Sequence, residues 1–247
     1  NPQFQGDKHV INYLVDLGFP VEDSRDYATW ACAQVVPSSQ RRPTGVICTI
    51  NMALSLDLAL HDGMAPQTGK QIGLNTGDPR KFEKFEDMYE AFTKQHEFTV
   101  RRQLWYHRLV NGMYIQYWRV PLSSSLVTGC MENGRDILAG GQRYNLLSGI
   151  DDRALINTAD SLTAIRHLVF EEKRLTMSEL MDALDSNFAG ERGQKIQAMC
   201  LAAPKYGNDI DEADEMVREL GKFSANVITS QKSLYGGYYT IMRTGLA

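Results

Sequence analysis

The middle of the chain reads Gly129-Cys-Met-Glu-Asn-Gly-Arg-Asp-Ile137, and Gly140-Gly-Gln-Arg-Tyr-Asn145 follows two residues later. Glycine interrupts regular structure, so this spacing predicts that a helix ends here and gives way to turns. Apolar residues recur at helical spacing on both sides of the stretch, over residues 82–110 and 154–170. The pattern predicts long amphipathic helices that flank a glycine-rich turn region.

Further helices are predicted along the chain. The capping-box spacing Thr176-Met-Ser-Glu179 predicts a helix over 177–187, and an acidic first turn predicts another over 211–229. Residues 47–61 also carry a helical pattern and precede a long irregular loop, whereas residues 235–242 favour a strand. We therefore expect a helix-rich α/β fold with long glycine-rich loops.

The composition is that of a soluble globular protein. The chain has 247 residues, of which 43% are hydrophobic and 23% are charged, with a formal net charge of -4. The acidic excess argues against a surface that neutralises many phosphates, and no apolar run reaches the roughly 18 residues of a membrane helix. We expect no nucleic-acid partner and no membrane, and either one large domain or two small ones.

The two ends of the sequence favour a fragment of a longer protein. The chain has no initiator methionine and no secretory leader, and its last residues break off within a strand-like stretch.

The four cysteines show neither CxxC nor Cys/His spacing, which favours reduced thiols in the cytoplasm over a disulfide framework or a zinc site. Cys48 and Cys200 lie in apolar patterns and are interpreted as core residues. Cys130 lies two residues before Glu132, but residues two apart on a helix do not face each other, so a structural role is favoured there too. Cys32 differs because it directly precedes an irregular loop, where a side chain can be presented to a cavity.

Other reactive groups give weaker signals. Segments 68–73 and 75–78 have the composition of phosphate-binding loops, but the Walker A spacing is absent. The histidines are scattered over predicted helices, so core or solvated side chains are favoured over a catalytic Cys-His pair. They are His9, His61, His96, His107 and His167.

Six separated blocks occur in a fixed order. They are Asp26-Tyr-Ala-Thr-Trp-Ala-Cys32, Asn51–Leu60 with His61-Asp-Gly63, Gly69-Lys-Gln-Ile-Gly73 with Thr76-Gly-Asp-Pro79, the central stretch quoted first, Ala203-Pro-Lys-Tyr-Gly-Asn-Asp209, and Tyr235-Gly-Gly237. Together they resemble the glycyl radical enzymes of the pyruvate formate-lyase type, and the resemblance spans nearly the whole chain.

The resemblance implies a β/α barrel whose centre holds a finger loop with a cysteine at its tip, and that cysteine corresponds to Cys32. In the family, a radical stored on a backbone glycine passes to this cysteine, and the thiyl abstracts hydrogen from a small organic substrate. Residues 1–247 would then be a fragment of the catalytic barrel domain. The C-terminal glycyl radical domain would be absent, and the fragment alone would be inert.

The resemblance also implies the partners. A separate S-adenosylmethionine iron-sulfur activase installs the radical on a glycine outside this chain, and the chain itself is expected to bind no cofactor and no metal. A homo-oligomer is expected, with small accessory subunits as an open alternative.

Departures from the family pattern bear on the reaction. Gln34 stands where eliminating members carry a glutamate, and a neutral amide cannot usefully accept a substrate proton. Pyruvate formate-lyase has adjacent cysteines, whereas Ala31 and Ala33 flank Cys32. The pattern therefore favours C–C bond chemistry, with addition of a hydrocarbon radical to fumarate slightly ahead of decarboxylation of an arylacetate-type acid or a formate-lyase-like reaction.

Arg41 and Arg42 follow Cys32 closely, and guanidinium groups suit dicarboxylates; the alternative is a solvated loop. The stretch 208–214 looks more like fumarate-adding members, whereas 129–145 looks more like the lyase and dehydratase branches. A hypothesis of another class is a truncated, inactive relative that acts as a binding module.

Overall fold

The computed structural model of the protein describes residues 6–30, 34–38, 46–145, 147–234 and 236–242. Helices dominate these residues. The helices are α1 (Asp7–Asp16), α2 (Val21–Arg25), α3 (Met52–Leu60), α4 (Phe85–Tyr117), α5 (Pro121–Ser125), α6 (Leu155–Ile165), α7 (Met177–Asp185), α8 (Gly190–Ala202) and α9 (Asp211–Thr229).

Short strands separate the helices and form three small sheets. The strands are β1 (Tyr27–Trp30), β2 (Gln34–Pro37), β3 (Val46–Asn51), β4 (Met64–Ala65), β5 (Lys70–Gln71), β6 (Leu147–Arg153) and β7 (Tyr238–Met242). β1 pairs antiparallel with β2, and β4 pairs antiparallel with β5. The third sheet has the order β3-β6-β7, and β6 runs parallel to β7.

The described residues divide into two compact units. The first contains those within 1–49, 103–151 and 228–242, and the second contains those within 50–102 and 152–227. The core of the second unit is the larger, and fully buried side chains such as Met52, Phe92 and Leu162 pack there against the helices around them. The first unit has smaller cores, one of them built on Leu14 and Phe19.

Most of the predicted helices are confirmed. α9 has the predicted bounds, and Thr176 and Glu179 form both hydrogen bonds of the capping box that begins α7. α4 extends beyond the predicted segment to Tyr117, and α6 continues into a π-helical turn, Arg166–Glu171.

The prediction of a helix over 47–61 is half wrong, because the chain forms β3 up to Asn51 and only then enters α3. The β-branched residues Ile47, Thr49 and Ile50 favour a strand. Asn51 then caps α3, since its side-chain oxygen accepts a hydrogen bond from the Ala53 amide at 3.1 Å.

Candidate active site

The hairpin formed by β1 and β2 leads to and from the predicted radical residue. Four residue pairs join the strands, from Tyr27 with Pro37 at the base to Trp30 with Gln34 at the far end. Residues 31–33 connect the strands, and Cys32 is the middle one in the sequence. These three residues lie outside the described part of the chain, so the role of Cys32 stays a prediction.

Hydrogen bonds close the base of the hairpin. The Ser38 amide donates to the Asp26 carbonyl at 2.7 Å, and the Ser38 hydroxyl donates to the Asp26 carboxylate. The Tyr27 hydroxyl donates to Asp7 of α1 at 2.7 Å. Val35 packs on the small core of the first unit. The two strands are therefore held by α1 as well as by each other.

The block Gly140–Asn145 contacts the same support. Tyr144 donates a hydrogen bond to Asp23 of α2, and its ring meets Phe19 edge-on at a centroid distance of 5.3 Å. Arg143 lies 3.4 Å from the Asp23 carboxylate and 5.0 Å from the centre of the Tyr144 ring. A stretch remote in sequence thereby stabilises the helices that carry the hairpin.

The stretch that contains Cys130 has a structural role. Gly129 adopts a φ of +97°, and a Cβ atom there would lie 2.4 Å from the Arg143 amide nitrogen. The Glu132 carboxylate accepts a hydrogen bond from the Gly129 amide at 2.9 Å, so this acid ties the turn to itself. Cys130 is buried beside Val127, and desolvation followed by the charges of nearby carboxylates raises the pKa of its thiol. The burial of Cys130 supports its structural interpretation, but residues 128–134 form turns and not the helix on which that interpretation rested.

Asp136 anchors the turn region to α5. Its carboxylate accepts hydrogen bonds from the amides of Val120 and Leu138, each at 2.8 Å, and from the Ser124 hydroxyl at 3.0 Å. Desolvation raises the pKa of this carboxyl, but the hydrogen bonds outweigh it and the net pKa is lowered.

The other described thiols are unsuited to act as thiolates. Cys48 is half-buried in β3, and desolvation raises its pKa to about 11. Cys200 packs against the core of the second unit, and desolvation raises its pKa although Lys205 opposes the shift. The packing of Cys200 supports its core interpretation, whereas Cys48 is only half-buried and belongs to none of the core clusters described above.

The other predicted site residues are Gln34, Arg41 and Arg42. The backbone of Gln34 pairs with Trp30. The side chain of Gln34 and the whole of Arg41 and Arg42 lie outside the described residues.

The glycine-rich loop after α3 is occupied by its own side chains. The Asp62 carboxylate accepts hydrogen bonds from the amides of Thr76 at 2.5 Å and Gly77 at 2.7 Å. Amides that would cradle a phosphate are therefore used inside the loop. This contact explains physically why the composition of residues 68–78 does not indicate a nucleotide site.

Sequence reasoning missed a buried polar relay in the second unit, which we call the His96 relay. His96 Nδ1 lies 3.2 Å from the Ser55 hydroxyl, and Nε2 lies 3.0 Å from the Ser224 hydroxyl. Ser224 donates in turn to Asp152 at 2.8 Å. These residues are at most 2% exposed. The only sequence signal was a histidine within the apolar pattern of α4, whose partners are distant in the chain.

The three hydrogen bonds of the His96 relay all run in the same direction, from donor to acceptor toward Asp152. Because Ser224 uses its proton toward Asp152, its oxygen accepts from Nε2, which must carry a proton. Nδ1 is then the acceptor for Ser55. Desolvation lowers the pKa of His96 to about 4, which keeps the ring neutral. His96 is therefore a hydrogen-bonded core histidine, as its place in the apolar pattern of α4 predicts.

Among the described residues, no helix is both long and apolar enough to cross a membrane.

Comparison with known proteins gives the chain its family. The model of the pyruvate formate lyase-like family matches residues 1–244. The chain belongs to this family. The resemblance to glycyl radical enzymes is confirmed, and so is the expected helix-rich α/β fold of their barrel domain.

Three relatives show the breadth of this pyruvate formate lyase-like family. The chain is 33% identical to trans-4-hydroxy-L-proline dehydratase of Clostridioides difficile over 244 residues, covering 97% of this chain and 30% of the relative. It is 33% identical to isethionate sulfite-lyase of Bilophila wadsworthia over 228 residues, covering 91% and 27%. The B12-independent glycerol dehydratase of Clostridium butyricum, solved with glycerol bound, superposes with a TM-score of 0.86 at 29% identity, covering 98% and 30%.

The chain thus spans about 30% of the length of these relatives. Their names are those of dehydratases and lyases, and they lend no support to the expected addition of a hydrocarbon to fumarate.

Proposed function

We propose that this chain is the thiyl-bearing part of a glycyl radical lyase, with Cys32 as the hydrogen-abstracting residue. The observation that carries the proposal is the β1–β2 hairpin, whose last pair, Trp30 with Gln34, leaves Cys32 central among three connecting residues. A short connection between paired strands suits a finger that presents a single sulfur atom. Family membership supplies the chemistry.

The substrate class follows from Gln34. Loss of water needs a proton for the departing hydroxyl, and the amide of Gln34 cannot exchange one usefully. An anionic substituent, a sulfonate or a carboxylate, can leave without that proton. We therefore place the substrate among small organic acids that carry such a group beside the C–H bond that reacts.

The proposed reaction neither gains nor loses electrons overall. The Cys32 thiyl takes a hydrogen atom from the substrate, which forms S–H and leaves a carbon radical. The bond between the neighbouring carbon and its anionic substituent then breaks homolytically, which forms a C=C double bond and releases the substituent as a radical anion. That radical anion takes the hydrogen atom back from the Cys32 thiol and regenerates the thiyl, so no outside oxidant or reductant is consumed.

The guanidinium groups of Arg41 and Arg42 suit such an anion, since they bind carboxylates through paired hydrogen bonds. The same two arginines also suit the second candidate function, addition of a hydrocarbon radical to fumarate, because fumarate is a dicarboxylate. The stretch 208–214 gives that candidate less support, because its side chains serve local structure. The Gly207 amide donates to Asp214 at 3.3 Å, and the Asn208 side chain donates to the Lys205 carbonyl at 3.2 Å.

The radical itself would be supplied by a glycine outside this chain and installed by an S-adenosylmethionine activase. We further propose that residues 1–247 do not include the glycyl radical domain and that they are inert alone. We also propose that the protein is a homo-oligomer. An inactive binding module is the alternative of another class.

Product analysis tests the proposal. The complete polypeptide that contains this chain, activated anaerobically, is supplied separately with isethionate, an arylacetate, a vicinal diol, and toluene with fumarate. We expect cleavage of isethionate, whose sulfonate lies on the carbon next to the C–H bond that reacts, and no succinate adduct. Turnover of the arylacetate, whose carboxylate lies on the same carbon as its C–H bonds, would contradict this step and support decarboxylation instead. Gln34→Glu should raise turnover of the diol relative to the unchanged protein. A succinate adduct would support the second candidate instead, and radical formation without turnover of any substrate would favour the binding module.

A further inference from the structure

A histidine and two glutamates converge in the second unit. His167 and Glu171 lie in the π-helical turn after α6, and Glu212 lies in the first turn of α9. One ligand atom from each of the three residues lies within 4.8 Å of the others, and His167 Nδ1 is 3.7 Å from Glu171 Oε2. Ligand atoms around a tetrahedral zinc ion are separated by roughly 3.4 Å, so small side-chain rotations would bring the three into coordination range.

One oxygen of this cluster needs a partner. Glu212 Oε1 is buried and has no hydrogen-bond partner among the described residues. A carboxylate oxygen taken out of water is costly unless a donor or a cation satisfies it, and such an atom in a native structure requires an explanation. A bound cation would meet this requirement.

The surrounding charge also favours a cation. Glu172 Oε1 lies 3.4 Å from His167 Nε2, and Arg174 pairs with Glu172 at 3.3 Å. The three carboxylates near His167 therefore outnumber the one guanidinium that is paired with any of them in the described part of the chain. The contacts of His167 with Glu171 and Glu172 leave Glu212 Oε1 without a hydrogen-bond partner among the described residues.

Solvent can reach His167 of this cluster. His167 lines a cavity of about 250 Å³ together with Arg174 and Met199. A cavity of this size holds several water molecules, so water can reach an ion bound at His167 from this side.

We propose that His167, Glu171 and Glu212 bind one divalent first-row transition-metal ion, with solvent as the remaining ligand. One imidazole nitrogen and two carboxylate oxygens suit Zn²⁺ or Mn²⁺, whereas Ca²⁺ and Mg²⁺ prefer oxygen ligands alone. The proposal is independent of the radical chemistry.

Titration calorimetry with ZnCl2 under reducing conditions, on the full chain, tests this site. We expect one saturable site, and a dissociation constant raised at least about tenfold in Glu212→Gln and in Glu171→Gln. Glu171 is exposed, so its substitution does not threaten folding, and circular dichroism verifies the fold of both variants. Glu191→Gln is the matched control, because Glu191 is an exposed acid on α8 that pairs with Lys195, and it should bind Zn²⁺ as the unchanged chain does.

Co²⁺ separates this site from binding to cysteine. At the proposed site, the Co²⁺ spectrum should lack the thiolate charge-transfer band. Absence of saturable binding, an unchanged dissociation constant in both glutamine variants, or a thiolate band at the single site would overturn the proposal.

Discussion

Trp30 pairs with Gln34 at the far end of the β1–β2 ladder, opposite the base where Ser38 bonds to Asp26. Both ends of the hairpin are thereby fixed by hydrogen bonds, and α1 and α2 with their attached Tyr144 support one side of it. A radical residue must meet its substrate at a defined distance, so a rigid support is what the proposed chemistry requires.

Substitution of Gly129 tests the turn region that supports the hairpin. Gly129→Ala should lower the free energy of unfolding by roughly 3 kcal/mol or more, because the positive φ is strained and the new Cβ would meet the Arg143 backbone. Urea denaturation of the full chain measures the loss.

Gly134→Ala is the control for this effect. Gly134 also has a positive φ, of +57°, but an added Cβ there would meet no atom within 4 Å. Gly134→Ala should therefore lower the free energy of unfolding only by the backbone strain, about 1 kcal/mol. Equal losses in the two variants would show that the close approach to Arg143 does not matter.

The His96 relay predicts a dependence of stability on pH. The pKa of His96 is about 4 in the folded protein, below its ordinary value of 6.5, so the unfolded chain binds the proton more readily. The contribution of the neutral His96 ring to the free energy of unfolding is intact above pH 6.5 and is lost as the pH falls toward 4. The full loss is roughly 3 kcal/mol.

Urea denaturation at pH 7.5 and pH 4.5 measures this loss. His96→Gln, which removes the titrating ring, should reduce the difference in unfolding free energy between the two pH values by roughly 2 kcal/mol. His9→Gln, at an exposed position of α1, is the control and should leave the difference unchanged. An equal pH difference in unfolding free energy in His96→Gln and His9→Gln would contradict the role of the His96 relay.

The capping box of α7 gives a smaller prediction. Thr176→Ala removes the side-chain acceptor for the Glu179 amide and should cost about 1 kcal/mol in unfolding free energy. Ser161→Ala, at an exposed position within α6, removes a hydroxyl that bonds only to the preceding turn and should change stability by less than about 0.5 kcal/mol. Thermal melting of both variants makes the comparison, and a Thr176 loss no larger than that of Ser161 would contradict the cap.

The sequence predicts the helices well where local signals set both ends. α9 begins with acidic residues and keeps an apolar face throughout, and α7 begins with a capping box. Such signals act over neighbouring residues and need no knowledge of the fold.

Contacts between distant residues set the remaining features. β6 contains Gly149 and two aspartates, so no alternating apolar pattern marks it, and its partner β7 lies far along the chain. The His96 relay joins residues that are 41, 128 and 72 positions apart. Cys32 could be singled out only through the resemblance of several ordered blocks, and its role stays a prediction.

Replacement of Cys32 tests the central claim most directly. The complete activated polypeptide carrying Cys32→Ala should keep the glycine radical signal in electron paramagnetic resonance and lose all turnover, because the radical then has no sulfur through which to reach the substrate. Cys48→Ala, at a half-buried thiol of β3, should keep both the signal and the turnover. Turnover retained by Cys32→Ala would contradict the account.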